Sequence, residues 1–306
     1  MQMMDLCWSG AKSSKMPMNN KSRSEWFLTL PSFIWLLIFF LVPTCIIYAY
    51  ALKPHTIYGS VGEGFSFDAI KDLMDPNYYI LIGRTLFLGI ATTLICLLLA
   101  LPVGYQMTLL STKARHLLML LLVLPFWSSF LIRIFAWKML LHPEGYIKKI
   151  LVFLHVVDSD TSLLYNLASV VLVMVYTYLP FAVFPIYAAA SKFNFQLLEA
   201  AMDLGATRSK AFFQVFIPGI GKGIMTATVM VFISAVGAYV IPDLVGGFSS
   251  EMIGNKIAQR VFVDRNLPQA SALSALLSLV IFLPLLAIVF VSSRQKKIEA
   301  EVRNRE

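Results

Sequence analysis

The chain has 306 residues, 58% of them hydrophobic and only 14% charged. Soluble domains carry about 25% charged residues, so this composition excludes an ordinary water-soluble globular protein. A formal net charge of +8 raises the question of a nucleic-acid surface, which the placement of the basic residues along the chain answers.

Residues 1–25 are polar, rich in Ser, Lys and Met, and hold Lys12, Lys15, Lys21 and Arg23. This composition predicts a disordered segment with at most a short interfacial stretch. From Trp26 to Leu52 no Asp, Glu, Lys or Arg occurs, and ~20 such residues suffice to cross the hydrocarbon core. Ala49-Tyr50-Ala51 has the small-x-small form of a cleavage site. The apolar stretch before it, about 25 residues, exceeds the core of a signal peptide, so it reads as an uncleaved first span. A loop with Gly59, Gly62 and Gly64 then leads through a helix-like patch ending at Asp75-Pro76. The second charge-free run is Thr85 to Thr112. The short connector "STKAR" makes its successor an antiparallel neighbour. That third span, His116 to Leu141, contains Arg133 and Lys138 but is otherwise apolar. A turn, "HPEG" at His142–Gly145, opens the next loop. Charge-free runs follow from Thr161 to Ser191, Gly223 to Pro242 and Asn266 to Ser293, with "VGGFSS" and the amphipathic "EMIGNKIAQRVF" between the last two.

The prediction is an all-α polytopic membrane protein with six transmembrane helices. It comprises a polar segment at 1–25, one membrane domain at 26–293 and a basic tail at 294–306. Pro31, Pro43, Pro102, Pro125, Pro180, Pro185 and Pro284 fall within spans, where proline either kinks the helix or is tolerated because neighbours satisfy the freed carbonyl. Cys45 and Cys96 lie inside apolar spans, where packing is the expected role. Six spans place both termini on one side of the membrane. That side (residues 1–25, 111–115, 192–218 and 294–306) carries fourteen Lys or Arg, whereas the opposite loops carry seven against nine acids. This positive-inside bias assigns the termini and the 192–218 loop to the cytoplasm. The basic excess is therefore topology, and no nucleic-acid partner is expected.

No catalytic constellation is visible. The four histidines are scattered, without H-E-x-x-H spacing, and no metal-ligand pattern occurs. "GIGKG" at Gly219–Gly223 lacks the glycine five positions before Gly221, and Gly223 stands where a phosphate loop needs Ser or Thr. No cofactor site is expected in this chain, so ATP-driven transport requires a separate ATPase. By helix rise, Arg133 stands roughly 25 Å from His116, near the outer surface. The same counting from Gly219 puts Asp243 at the outer end, with Arg84 and Lys138, which suit snorkelling. Arg133 lies in "LPFWSSFLIRIFAW" and Asp243 in "AYVIPDL". These aromatics read either as an interfacial belt or as a cation–π site for an organic cation. The candidate path residues are Trp127, Arg133, Tyr178, Tyr239 and Asp243.

The loop from Lys192 to Lys222 has its own pattern. Phe195, Leu198, Ala201 and Met202 recur at helical spacing. Glu199 and Asp203 stand at i,i+4 on one side, with Ala200 and Leu204 beside them. Gly205 falls where a left-handed residue ends a helix, and a second helix runs from about Arg208 to "VFIP". The reading is a presented helix-turn-helix. Its alanines permit close approach by a partner, and its carboxylates accept hydrogen bonds or pair with basic groups.

Glu199-Ala200-Ala201, three residues, Gly205, nine residues and then Val215, Ile217 and Pro218 resemble the EAA loop of ABC importer permeases. The family typically has Ile and Leu where this chain has Val215 and Ile217. The resemblance covers most of residues 26–293. "LPFWSSFLIRIFAW", "VYTYLPFAVFPIYAA", "AYVIPDLVGG" and "MIGNKIAQRVFVDRNLPQASALS" look like the spermidine/putrescine branch, at its first permease subunit. Ala238 departs from relatives, which often have an acidic residue there. The resemblance implies a type I importer permease fold in a bacterial inner membrane, with Glu199, Ala200, Ala201, Asp203, Leu204 and Gly205 coupling to an ATPase. It further implies an ATP-binding cytoplasmic ATPase dimer, a second similar permease, an extracytoplasmic binding protein and a polyamine-like substrate. The same architecture also serves thiamine, iron and inorganic anions. An ion-gradient-driven transporter would instead need carboxylates at the bilayer midplane, and these spans are free of charge there. Purified alone into liposomes, the chain is expected to give no substrate flux; unaided flux would favour the gradient-driven class.

Overall fold

A computed structural model describes residues 19–56, 61–155, 157–158, 160–283 and 286. The expected tail at 294–306, most of the polar segment at 1–25 and the end of the sixth span lie outside these residues. Among the described residues the chain is helical, with no β-strand. It divides into two compact units, residues 1–49 and 50–306. The first is the body of α1 (Asn19–Tyr50), which contains Pro31 and Pro43 without ending at either. Its segment Thr29–Tyr50 is apolar throughout its 22 residues. At ~1.5 Å per residue it matches the thickness of a bilayer core, and with no polar stripe it suits a lipid surround.

The second unit contains α2 (Asp68–Asp72), α3 (Pro76–Leu109), α4 (Thr112–Val123), α5 (Phe130–Leu141), α6 (Tyr146–Phe153) and α7 (Leu167–Ala190). These are followed by α8 (Gln196–Asp203), α9 (Arg208–Ala211), α10 (Ile217–Gly219), α11 (Gly221–Val236), α12 (Val240–Val245), α13 (Ile253–Phe262) and α14 (Leu267–Leu283). The long helices start on chemical signals. Asp75 accepts the Asn77 N–H at 2.8 Å, with Pro76 as the first residue of α3. At α7, Asn166 accepts the Ser169 N–H at 2.8 Å and donates its own N–H to Ser169 Oγ at 3.3 Å. Both arrangements satisfy amide groups that the helix itself leaves open.

Helices α3, α7 and α11 form the core. Along α3 the buried residues Leu88, Thr92, Cys96, Ala100, Gly104 and Met107 recur every three or four positions. On α11 Gly223, Ala227, Val231 and Ala235 recur every four. Lipid tails are as apolar as leucine, so helices in a membrane associate through close packing, which small residues allow. Gly223 shows how close: a Cβ there would lie 2.4 Å from Ala189 Cβ and 2.8 Å from the Pro185 carbonyl oxygen. The buried hydroxyls of Thr85, Thr93 and Thr177 donate to carbonyls four residues back, at 2.8, 2.7 and 2.7 Å, and Thr85 Oγ1 also accepts the Ile253 N–H at the start of α13 at 3.0 Å. Cys96 belongs to this core, whereas Cys45 is exposed, so the packing role expected of both holds for Cys96.

The third span expected from His116 to Leu141 is not one continuous helix. Thr112–Trp127 and Phe130–Phe153 meet at 95°. Pro125 lacks an N–H and sits in a tight 3₁₀ turn, Leu124–Trp127. The Ser128 hydroxyl donates to the Pro125 carbonyl at 2.7 Å, and Ser128 and Ser129 are extended. Counting ~1.5 Å per residue through this corner overstates the depth of Arg133. A second bend, 72°, separates Arg208–Gly219 from Gly221–Val236. The fifth span then ends at Val236, and Gly237 to Tyr239 interrupt the helix before α12. Asp243 therefore does not stand on a continuous helix from Gly219. Pro102, Pro180 and Pro185 lie inside unbroken helices. Among the described residues the apolar segments are three intact helices, two bent pairs and α14.

Gly223→Val forces a side chain into the α7–α11 crossing. Overpacking of this kind costs about 1–3 kcal/mol, so the thermal unfolding midpoint in detergent should fall; an unchanged midpoint would contradict the packing described.

Candidate functional site

The loop after α7 folds as two short helices around one glycine. Asn194 Oδ1 accepts the Gln196 N–H at 3.1 Å and starts α8. The inner face of α8 holds buried Leu198, with Ala201 and Met202 half-buried against the core together with Phe195 just before it. The outer face carries Glu199, Ala200, Asp203 and Leu204, all exposed; Leu204 is 90% exposed. Gly205 ends the helix at φ +90°, a conformation that costs other residues ~1–2 kcal/mol. Its N–H donates to the Met202 carbonyl at 2.9 Å, and the Ala206 N–H donates to the Ala201 carbonyl at 3.0 Å. This bond pair satisfies two open carbonyls and fixes the direction of the exit. No atom lies within 4 Å of a Cβ built on Gly205, so the demand for glycine is conformational. Thr207 Oγ1 then accepts the Lys210 N–H at 3.4 Å and starts α9.

Of the six residues expected to couple to an ATPase, the structure presents Glu199, Ala200, Asp203, Leu204 and Gly205 outward. Ala201 turns inward. The two alanines of the motif are therefore not equivalent: Ala200 is available to a partner, while Ala201 lets α8 lie close to the body of the chain.

An aromatic cluster beneath this surface escaped the sequence reading. Tyr105 of α3 meets Phe216 at 5.0 Å, Phe212 at 5.3 Å and Phe195 at 6.2 Å between ring centroids. Phe193 completes it, 5.3 Å from Phe216 and 5.4 Å from Phe195. Phe216 is fully buried. Most of these rings meet edge to face, the arrangement their quadrupoles favour. Phe212 and Phe216 begin and end a π-helical turn, a geometry that recurs at functional sites. Gly219 admits Phe193, whose Cε2 would be only 2.3 Å from a Cβ at that position. The glycines of "GIGKG" thus serve a bend and two close contacts. The available signal was four phenylalanines placed on both sides of the loop.

The five path candidates fall into two groups. Arg133 places its guanidinium carbon 4.9 Å from the Phe126 ring centroid and 5.9 Å from that of Phe130. Phe126 stands 5.7 Å from Phe181, which stacks at 6.3 Å on buried Tyr178. A cation–π site in "LPFWSSF" is thus occupied by the chain's own Arg133, while Trp127 at the bend is 79% exposed. Tyr239 and Asp243 line a separate cleft of about 1000 Å³ with Tyr165, Phe248, Glu251 and Lys256. The Lys256 ammonium bonds Gln259 at 2.9 Å and lies 4.0 Å from Glu251. Arg84, expected to snorkel, donates to the Phe248 carbonyl at 3.0 Å and so ties the cleft's rim to α3. Lys138 stands 5.7 Å from the Tyr165 ring centroid. With Glu251 against Lys256, it is Asp243 and the neighbouring rings of the cleft that can hold an organic cation, through charge-assisted hydrogen bonds and cation–π contact.

No family model matches the chain. The spermidine/putrescine transport system permease protein PotB of Escherichia coli is 34% identical to it over 269 residues, covering 87% of this chain and 98% of that protein. PotB of Haemophilus influenzae is 31% identical over 272 residues, covering 88% and 94%. The inner membrane ABC transporter permease protein YdcU of Escherichia coli is 30% identical over 216 residues, covering 66% and 68%. Among solved structures, a bacterial ABC transporter involved in import of the acidic polysaccharide alginate matches with a TM-score of 0.72, covering 90% of this chain and 96% of that chain. The sequence identity of that pair is 18%, so the likeness concerns the fold.

Proposed function

Because this chain belongs to the family of ABC importer permease subunits that includes the spermidine/putrescine permeases, we propose that it forms half of the membrane pathway of a polyamine importer. In this reading Glu199, Ala200, Asp203, Leu204 and Gly205 contact a separate cytoplasmic ATPase, which supplies the nucleotide site. Two ATPase copies close on ATP and displace α8, and the attached bundle tilts to alternate access. A second, similar permease completes the pathway, and an extracytoplasmic binding protein delivers the substrate. The charge bias along the chain favours cytoplasmic termini in a bacterial inner membrane.

The observation that carries the proposal is the outward face of α8. It combines an exposed leucine, an alanine and two carboxylates on a short helix that is rigidly closed at Gly205 and packed from below. A plain solvated connector needs neither the capped end nor the packing. Polyamine is favoured as substrate by relatives named for spermidine and putrescine and by the cleft of Tyr239, Asp243 and Phe248, whose carboxylate and ring faces suit an ammonium group on a flexible chain.

Labelled spermidine uptake by proteoliposomes holding the assembled importer tests both parts. Asp243→Asn should weaken uptake by raising KM, since it removes a charge from the cleft. Ala200→Asp adds charge to an exposed position without disturbing the core, and Gly205→Asp adds both charge and left-handed strain. Each should reduce uptake by about tenfold or more, because an unpaired charge buried at a contact costs several kcal/mol. Normal uptake with undiminished ATPase association in Ala200→Asp would remove the coupling assignment.

A further inference from the structure

The loop between α7 and α11 is continuous in sequence with those two helices, which suggests that they alone receive its motion. The aromatic cluster points elsewhere. Phe195 immediately precedes α8, and Phe212 and Phe216 bracket the π turn after α9. All three rings converge on one side chain of a different helix, Tyr105 of α3, at 6.2, 5.3 and 5.0 Å. One residue before it, Gly104 is buried where a Cβ would lie 2.7 Å from Ile186 Cγ2 of α7. The segment of α3 that receives the rings is therefore packed tightly against the core at the same level.

We propose that Tyr105 is a positioning residue that fastens the ATPase-facing helix α8 to α3, so that the loop moves as one body with α3. The proposal rests on the reading of Glu199–Gly205 as the ATPase contact and adds the route by which that contact's motion enters the membrane. The physical ground is the geometry of the rings. Edge-to-face and stacked ring pairs are favoured beyond the area they bury, so several rings converging on Tyr105 hold the loop to α3 more firmly than an equal area of aliphatic contact. Fully buried Phe216 sits at their centre. Gly219 allows Phe193 to close the cluster from the other side. On this account the ring of Tyr105 matters and its hydroxyl does not.

The test uses the assembled transporter, with Cys7, Cys45 and Cys96 replaced and spin labels attached after Leu197→Cys and Leu109→Cys, both exposed positions outside the residues assigned to the ATPase contact. The distance between the labels should be the same in the nucleotide-free and ATP-bound states. A shift between the two states overturns the proposal, since the loop would then slide along α3. Adding Tyr105→Leu should broaden or shift that distance on ATP binding. It should also lower spermidine uptake about tenfold with ATPase co-purification unchanged, while Tyr105→Phe retains both. Full uptake in Tyr105→Leu also overturns the proposal. If Tyr105→Leu does not assemble, the distance measurement without it decides. Failure of the underlying coupling reading has a different signature: Ala200→Asp would then leave ATPase association and uptake intact whatever residue stands at 105.

Discussion

Helices surrounded by lipid gain nothing by hiding apolar side chains from one another, so what holds this bundle together is how closely its backbones approach. Gly223 against Ala189 and Pro185, and Gly104 against Ile186, set those approaches. Packing this close favours discrete arrangements over gradual deformation. The clamp at Tyr105 and the closed end of α8 both build on that stiffness. A soft bundle would absorb a push on α8 within a turn or two, whereas a stiff one carries it onward.

The two regions with functional character follow from the places where the fold departs from straight spans. The 72° bend at Gly219–Gly221 lets the loop fold back beneath the core, where its phenylalanines meet α3. The interruption at Gly237–Tyr239 opens the chain into α12 and α13, and the cleft of Tyr239, Asp243 and Glu251 lies there. The 95° corner at Pro125–Ser129 brings Arg133 over Phe126 and Phe130. Arg133 thereby satisfies within the chain the rings that would otherwise face a ligand cation. Of the two aromatic regions, the cleft at Asp243 is the one that sets an exposed carboxylate beside the exposed rings of Tyr239 and Phe248, while its Glu251 lies against Lys256.

Much of this was legible in the residues. Charge-free runs located the spans, because charge in hydrocarbon is costly. The 3.6-residue period of Phe195, Leu198, Ala201 and Met202 marked the inner face of α8. Gly205 stood where only a left-handed residue closes the helix, and the structure gives it φ +90°. The bends were not legible, since a charge-free count reads the same for one straight helix and for two meeting at a corner. Pro125 gave no decisive sign, because Pro102, Pro180 and Pro185 lie in helices that continue. The same period includes Ala201, which the structure packs against the core although the resemblance counts it among the coupling residues. The role of Tyr105 was hidden because its partners lie far along the chain, and no local period connects them.

In the proposed importer the outward face of α8 is where the ATPase sits. In a background lacking Cys7, Cys45 and Cys96, Leu204→Cys places a thiol at a position of that face that is 90% exposed. Its reaction rate with a maleimide should slow by at least about tenfold when the ATPase is bound, because the centre of a protein contact excludes solvent. The same rate with and without bound ATPase would contradict the account.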